Sequence, residues 1–378
     1  KRGGCKLGFF DFIKKAKSNQ NERIKQDLET IKNGNWGFES EIVEEEVISV
    51  EERIKGINPN SEGLYPHEIL VLSYAPNYYV DGNNEFQGFW WYKYGIKDVN
   101  KILESLLNRD FLREGSLVSS MWKATVVELK DILRENDKKV SGKKEVLIQR
   151  LLDEVEEEKL NKVFKRRTYE VTDLGKEVLK NEEHISYIHK HTIEDLDIFS
   201  LSKMLENKPI YLYRDIIWGY LNEKGMEYIK DNNFGLYRNC RLTMSEFVKE
   251  EGKIDYSFTL LVEVIRYDLS GLHNGFDMSF LRIYKDRYIP YKKSLISVPP
   301  GIVNQVVEYK ETKGFTDDEL RQKIVENAEE LSLPFSVFTA DECADIVIME
   351  MNDEKEGLSK IYYNAEKDLV RNMDFNKI

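Results

Sequence analysis

Apolar residues fall three and four apart over most of this chain, a spacing that leaves packed helices as the main option. One stripe runs Val99, Ile102, Leu103, Leu106, Leu107, Phe111, Leu112. From Thr192 onward the same period recurs over 201–206, 211–222, 223–232, 243–251 and 257–267, with Pro209, Gly225, Gly235 and Gly252 read as breaks. Further helices are expected from Val298-Pro299-Pro300-Gly301 to Thr312, over 317–331, and over 341–351 behind a Thr339 cap. The chain has 378 residues, which suggests two or three domains at about 100–200 residues each. Its 21 Tyr, 18 Phe and 5 Trp supply bulky core material and exclude global disorder. No run of 18 apolar residues occurs, so no transmembrane helix is expected and no membrane partner. Cys5, Cys240 and Cys343 are too far apart for a disulfide framework or a metal motif, which fits a reducing cytoplasm.

Punctuation divides the chain. Residues 8–34 carry Phe9, Phe12, Ile13, Ile24, Leu28 and Ile31 at helical spacing, and 38–50 is acidic and helix-compatible. Pro59-Asn60-Ser61-Glu62-Gly63 marks a boundary. A short helix is expected behind Pro66, and 78–91 reads as a hairpin about Asp81-Gly82-Asn83-Asn84. Residues 164–171 alternate like a strand, and Thr172 caps a following helix. The expected domains are 1–60, 61–190 and 191–378. Lys1-Arg2-Gly3-Gly4 matches a translated purine-rich leader, which would make residues 1–6 non-native and Leu7 the true start. With the many Lys, Asn, Ile and Glu, this points to a low-GC Gram-positive bacterium or its phage.

Charge sharpens the functional question. At a net −12, the protein as a whole repels phosphate, so any nucleic-acid contact needs a local basic island. Residues 122–152 provide one, at +3 against −15 for the rest. Thr125 and Glu128 form a capping box ahead of Val126, Leu129, Ile132 and Leu133. After a loop whose one apolar residue is Val140, a second helix begins at Ser141-Gly142 with Val146, Leu147, Leu151 and Leu152 inward. Lys138, Lys139, Lys143 and Lys144 cluster about the loop and this helix start, where open backbone amides favour phosphate.

The run TVVELKDILRENDKKVSGKKEVLIQRLLDEV resembles the SAP motif, two helices joined by an extended loop, through Leu129, Leu133, Val140, Ser141, Gly142, Lys143, Leu147, Ile148 and Leu151. It departs from the family at Asn136-Asp137-Lys138, where Gly and a bulky apolar residue are usual. The resemblance spans about 122–155 and implies contact with double-stranded DNA with little base specificity. The residues it nominates are Lys130, Lys138, Lys139, Lys143 and Lys144 for phosphates and Gly142 for close backbone approach, with Lys165, Arg166 and Arg167 as auxiliaries. The alternative is a solvated lysine loop on a structural hairpin.

The flanks resemble a winged helix. Residues 64–114 end in a helix like its third, and Tyr169, Val171, Thr172, Gly175 and Leu179 resemble its wing and following helix, with the hairpin inserted where the wing begins. The alternative is an α+β body carrying the hairpin as an elaboration. The candidate recognition helix, 97–113, mixes Lys97, Lys101, Arg109 and Arg113 with Asp98, Glu104 and Asp110, so no sequence specificity is expected. Residues 247–272 resemble one tetratricopeptide-like helix pair. The expected fold is therefore mostly α and multi-domain: a winged-helix-like α+β domain with an inserted SAP-like hairpin, then a helical domain suited to a protein partner or self-association. No nucleotide, dinucleotide or hydrolase fingerprint occurs, and the His184, His189, His191 group lacks supporting ligands. The expectation is a non-enzymatic, cofactor-free, DNA-associated cytoplasmic protein; a protein-interaction scaffold with a merely structural hairpin is the alternative.

Overall fold

The computed structural model describes residues 47–280 and 295–373. The patterns at 8–34 and 38–46 and the leader at 1–6 lie outside these residues. The described chain is mostly helical, with one small sheet.

Four helices come first: α1 (Val50–Arg53), α2 (Pro66–Tyr74), α3 (Phe89–Tyr92) and α4 (Val99–Asn108). Pro66 occupies the first turn of α2, where its missing N–H costs nothing. Asp98 caps α4 by accepting from the Lys101 N–H. The stripe expected to continue to Leu112 stops at Asn108. Asp110 takes a left-handed φ of 61°, which turns the chain into strand β1 (Leu112–Glu114). The hairpin expected over 78–91 does not form. Asn84 closes the turn onto the Tyr79 backbone, but Tyr79 bridges Thr168 instead of a partner across the turn, and 89–92 are helical.

β1 pairs antiparallel with β2 (Tyr169–Val171), Leu112 opposite Val171. Only this last part of the 164–171 run is strand. Between β1 and β2 the chain leaves the sheet as α5 (Leu117–Lys123), α6 (Val126–Glu135), α7 (Lys144–Glu154) and α8 (Glu157–Val163). It then continues through α9 (Asp173–Asn181, capped by Thr172), α10 (Glu183–Lys190), α11 (Ile198–Asn207), α12 (Tyr213–Lys230), α13 (Phe234–Glu250) and α14 (Ile254–Asp268). The series ends with α15 (Pro300–Lys313), α16 (Asp317–Glu329), α17 (Ala340–Met351, with Thr339 as its cap) and α18 (Lys355–Met373). The two helices read at 211–222 and 223–232 are one, because Gly225 sits inside α12 and lets the Tyr237 ring pack close. Gly235 likewise lies within α13, so the helix read at 243–251 begins nine residues earlier, at Phe234. Gly252, at φ 74°, is a true break.

The apolar residues sort into separate cores. The largest runs from Val50 to Leu260 and includes Leu70, Leu72, Trp90, Tyr94, Leu103 and Leu106. A second joins α14 to α15–α18 through Phe258, Val262, Ile265, Ile302, Leu320, Ile324 and Val347. Beyond its first turn, from Leu260 to Tyr267, helix α14 is buried on every side, as a helix shared by two cores must be. Of its two buried charges, Glu263 pairs with Arg241 at 3.2 Å and accepts from Tyr237, while Arg266 donates through Nη1 to the Phe338 carbonyl at 2.9 Å and leaves Nε without a partner among the described residues. The excursion between the strands has a core of its own, Met121, Leu129, Leu133, Leu147, Ile148, Leu151, Val155 and Leu160.

Candidate nucleic-acid interface

Helices α6 and α7 run parallel, which follows from what meets at each end. Lys144 opens α7 and donates to the Trp122 carbonyl at 2.5 Å, just ahead of α6. Its charge also reaches Glu128 in the first turn of α6. At the other end Lys138, just past α6, lies 3.8 Å from Glu154, the last residue of α7. The connecting loop therefore travels back along α7. Arg150 holds it extended by donating to the carbonyls of Lys139 at 2.6 Å and Ser141 at 3.0 Å, and Val140 turns into the module core.

Sequence and geometry meet at three loop positions. Asp137 takes φ 55°, so the turn that usually carries Gly is kept by a residue that tolerates the left-handed region. Gly142 has φ 132°, and a Cβ there would stand 2.9 Å from Val146 Cγ1. Helix α7 starts at Lys144 rather than at Ser141-Gly142, with Lys143 as an N-cap that offers no side-chain acceptor. The first amides of α7 have no side-chain cap, whereas α6 is capped reciprocally by Thr125 and Glu128. The Thr125 backbone N–H, then its hydroxyl, hold the Glu128 carboxyl below its ordinary range.

This path spreads the lysines. Ten residues of helix separate Lys144 from Glu154, about 15 Å at 1.5 Å per residue. Lys138 sits at one end of that edge and Lys143 and Lys144 at the other, so they form a line rather than a cluster. Lys130, Lys139, Lys143 and Lys165 form no ion pair among the described residues, and Lys139, Lys143 and Lys165 are exposed. The two arginines are engaged within the chain. Arg166 grips Asp81 with two hydrogen bonds at 2.6 and 2.7 Å and holds that carboxyl below its usual range. Arg167 donates to the Phe164 carbonyl and to Asn161 at 2.5 Å. In α4 and β1, Arg109 folds back onto Glu68 at 3.0 Å and Arg113 onto Glu170 at 2.5 Å.

Sequence reasoning missed an exposed apolar rim beside Lys143 and Lys144. Val146, expected inward, is 47% exposed; Trp122 is 45% and Val127 66% exposed, and Val126 is also partly open. The adjacent Val126-Val127 pair was the available signal, since both cannot face one core. The histidines do not gather. His189 is held between the hydroxyls of Tyr74 at 2.7 Å and Tyr94 at 2.6 Å, His184 meets Ser202, and His191 lies 3.2 Å from Glu250. Among the described residues no three His, Cys, Asp or Glu are placed to hold a metal ion, and no helix is long and apolar enough to cross a membrane.

Residues 123–156 match the SAP domain. That match covers the parallel pair and the extended loop and ends at Glu156, just ahead of α8. The SAP domain suggests DNA binding in general terms. No curated protein and no solved structure matches the chain.

Proposed function

We propose that this protein binds double-stranded DNA, largely without regard to sequence, through the lysine-lined edge of its SAP domain. One observation carries the reading: the family match falls on a module whose loop presents exposed, carboxylate-free Lys139 and Lys143 beside the uncapped N-terminus of α7. Lys130, Lys138 and Lys144 extend the edge, and Gly142 keeps the backbone side-chain-free beside it. Lys165 is the auxiliary contact. Arg166 and Arg167 serve by fixing the chain that returns from the module, since their guanidinium groups are already bonded. The role is non-enzymatic, in the cytoplasm of a Gram-positive bacterium or its phage. The flanking α4–β1–β2–α9 segment is read as winged-helix-like, and the α13–α14 pair as a tetratricopeptide-like surface.

Four to six phosphate contacts give a salt slope of about −0.9 per contact. Reversing both charges in Lys139→Glu/Lys143→Glu, the loop's two exposed lysines with no ion pair among the described residues, is expected to weaken random duplex binding well over tenfold at low salt, with the circular dichroism melt unchanged. Equal binding by that variant would remove the module from the mechanism. A protein-interaction scaffold is the second reading. It is favoured by the loop between α11 and α12, where consecutive Ile210, Tyr211 and Leu212 are 89%, 52% and 72% exposed. A co-purifying protein that survives nuclease and high salt in the wild type, and is lost with Ile210→Ser/Leu212→Ser, would support it.

A further inference from the structure

The module has its own core, yet its attachment is more than a pair of chain crossings. Where the chain leaves and returns, the Gly115 N–H donates to the Thr168 carbonyl at 2.8 Å, and the Val80 N–H donates to the Arg167 carbonyl at 2.9 Å. Tyr79, on the turn after α2, lies at this neck. Lys123, from the end of α5, places Nζ 3.4 Å from the centre of the Tyr79 ring. Arg166, on the returning segment, places its guanidinium carbon 3.7 Å from the same centre. Two cations cannot share one face of a ring at those heights, so they take opposite faces. Asp81 completes the group: its bidentate bond to Arg166 brings an anion to two cations that would otherwise repel across the ring. Burial, then the nearby Arg166, lower the Lys123 pKa.

Each part comes from a different place. Tyr79 and Asp81 belong to the body, Lys123 to the outgoing arm of the module and Arg166 to its incoming arm. We propose that this stack is a latch that fixes the orientation of the SAP module on the body, with Tyr79 as a positioning residue for DNA binding. The charge distribution says why orientation matters. The module segment carries +3 and the rest of the chain −15. A module free to swivel at its neck would bring a bound duplex up against the anionic body in part of its range, whereas a fixed one holds its lysine edge in a single direction. The stack suits the task because both cations are attracted to the ring quadrupole, while two crossing chains alone would allow rotation.

The proposal rests on the DNA-binding reading, and its test separates the two. Hydrogen exchange over 115–168 is compared among wild type, Tyr79→Phe and Tyr79→Leu, all as full chains, with duplex titrations at 50 and 200 mM salt. Phe keeps the ring and should match wild type. Leu keeps apolar bulk without the quadrupole. It should speed exchange at 115–117 and 164–168 while leaving the buried amides of Leu147 and Leu151 protected. It should also weaken duplex binding by about three- to tenfold at 50 mM, with the gap narrowing at 200 mM as screening shortens the reach of the body's charge. If wild type binds no duplex, the DNA reading fails and the exchange data alone decide on the latch. Wild-type exchange in Tyr79→Leu, or equal loss in the Phe and Leu variants, overturns the latch.

Discussion

Gly142 shows how little of a residue's reason can be read without coordinates. The sequence marks it as a small residue beside four lysines, and a phosphate is the obvious cause for that smallness. The structure supplies two nearer ones, a φ of 132° that side chains rarely adopt and the methyl of Val146 2.9 Å from where a Cβ would stand. Gly142→Ala is expected to destabilise the module by about 1–3 kcal/mol from backbone strain and crowding together. A double-mutant cycle divides these: in a Val146→Ala background the closest contact, to Cγ1, is gone and the cost should fall, while the strain and the 3.1 Å approach to Cβ remain. Equal costs in both backgrounds would take the Cγ1 contact out of the effect. The lysines were legible as a set because composition is linear. Glu154 as a partner of Lys138, and Asp81 as a partner of Arg166, were not, because those contacts cross 16 and 85 positions.

Among elements, legibility followed caps and cores. Thr125, Thr172 and Thr339 announced their helices because each hydroxyl meets an orphan amide within three residues, a wholly local event. Glycine misled at 225 and 235, where packing against Tyr237 and Asn274 favours a helix that local propensity opposes. The strand pair was half-visible, since only three residues on each side pair and the partner lies beyond the whole inserted module. The course of the loop back along α7 was invisible, because helical periodicity says which face is buried and nothing of how the next segment travels. The module's separate core carries a consequence. Leu147 is fully buried there, and Leu147→Ala should cost about 2–5 kcal/mol. In so small a core that loss exceeds what the module can spare. Calorimetry is expected to show the body transition near its wild-type temperature, while exchange protection across 126–154 and duplex binding both collapse. A single transition shifted as a whole would show that module and body fold as one.

For the whole molecule, acid is the condition that tells most. His67 and His184 are buried enough that desolvation lowers both pKa values from 6.5 to about 4, and burial lowers His189 to about 4 as well, with Lys93 and Lys190 adding to it. All three lie among residues of the largest core or pack against them: His67 in α2 beside Phe199, His184 and His189 in α10. The unfolded chain therefore takes up more protons than the folded one between pH 6.5 and pH 4. Stability from these groups is complete above the unfolded value and is lost as pH falls toward 4. For His184 the shift corresponds to on the order of 3 kcal/mol, at about 1.4 kcal/mol per unit. The duplex-binding edge responds in the opposite sense, because protonating carboxylates on the −15 remainder weakens its repulsion of phosphate. Mild acid should thus tighten DNA binding while loosening the body that carries the module. The expected record is a melting temperature that drops between pH 6.5 and 4.5 as duplex affinity at fixed salt rises. His184→Gln, which keeps a hydrogen-bonding partner for Ser202 without a titratable ring, should flatten the first curve and leave the second unchanged. A melting temperature as steep in His184→Gln as in wild type would remove His184 from the acid response and leave it to His67, His189 and the carboxylates.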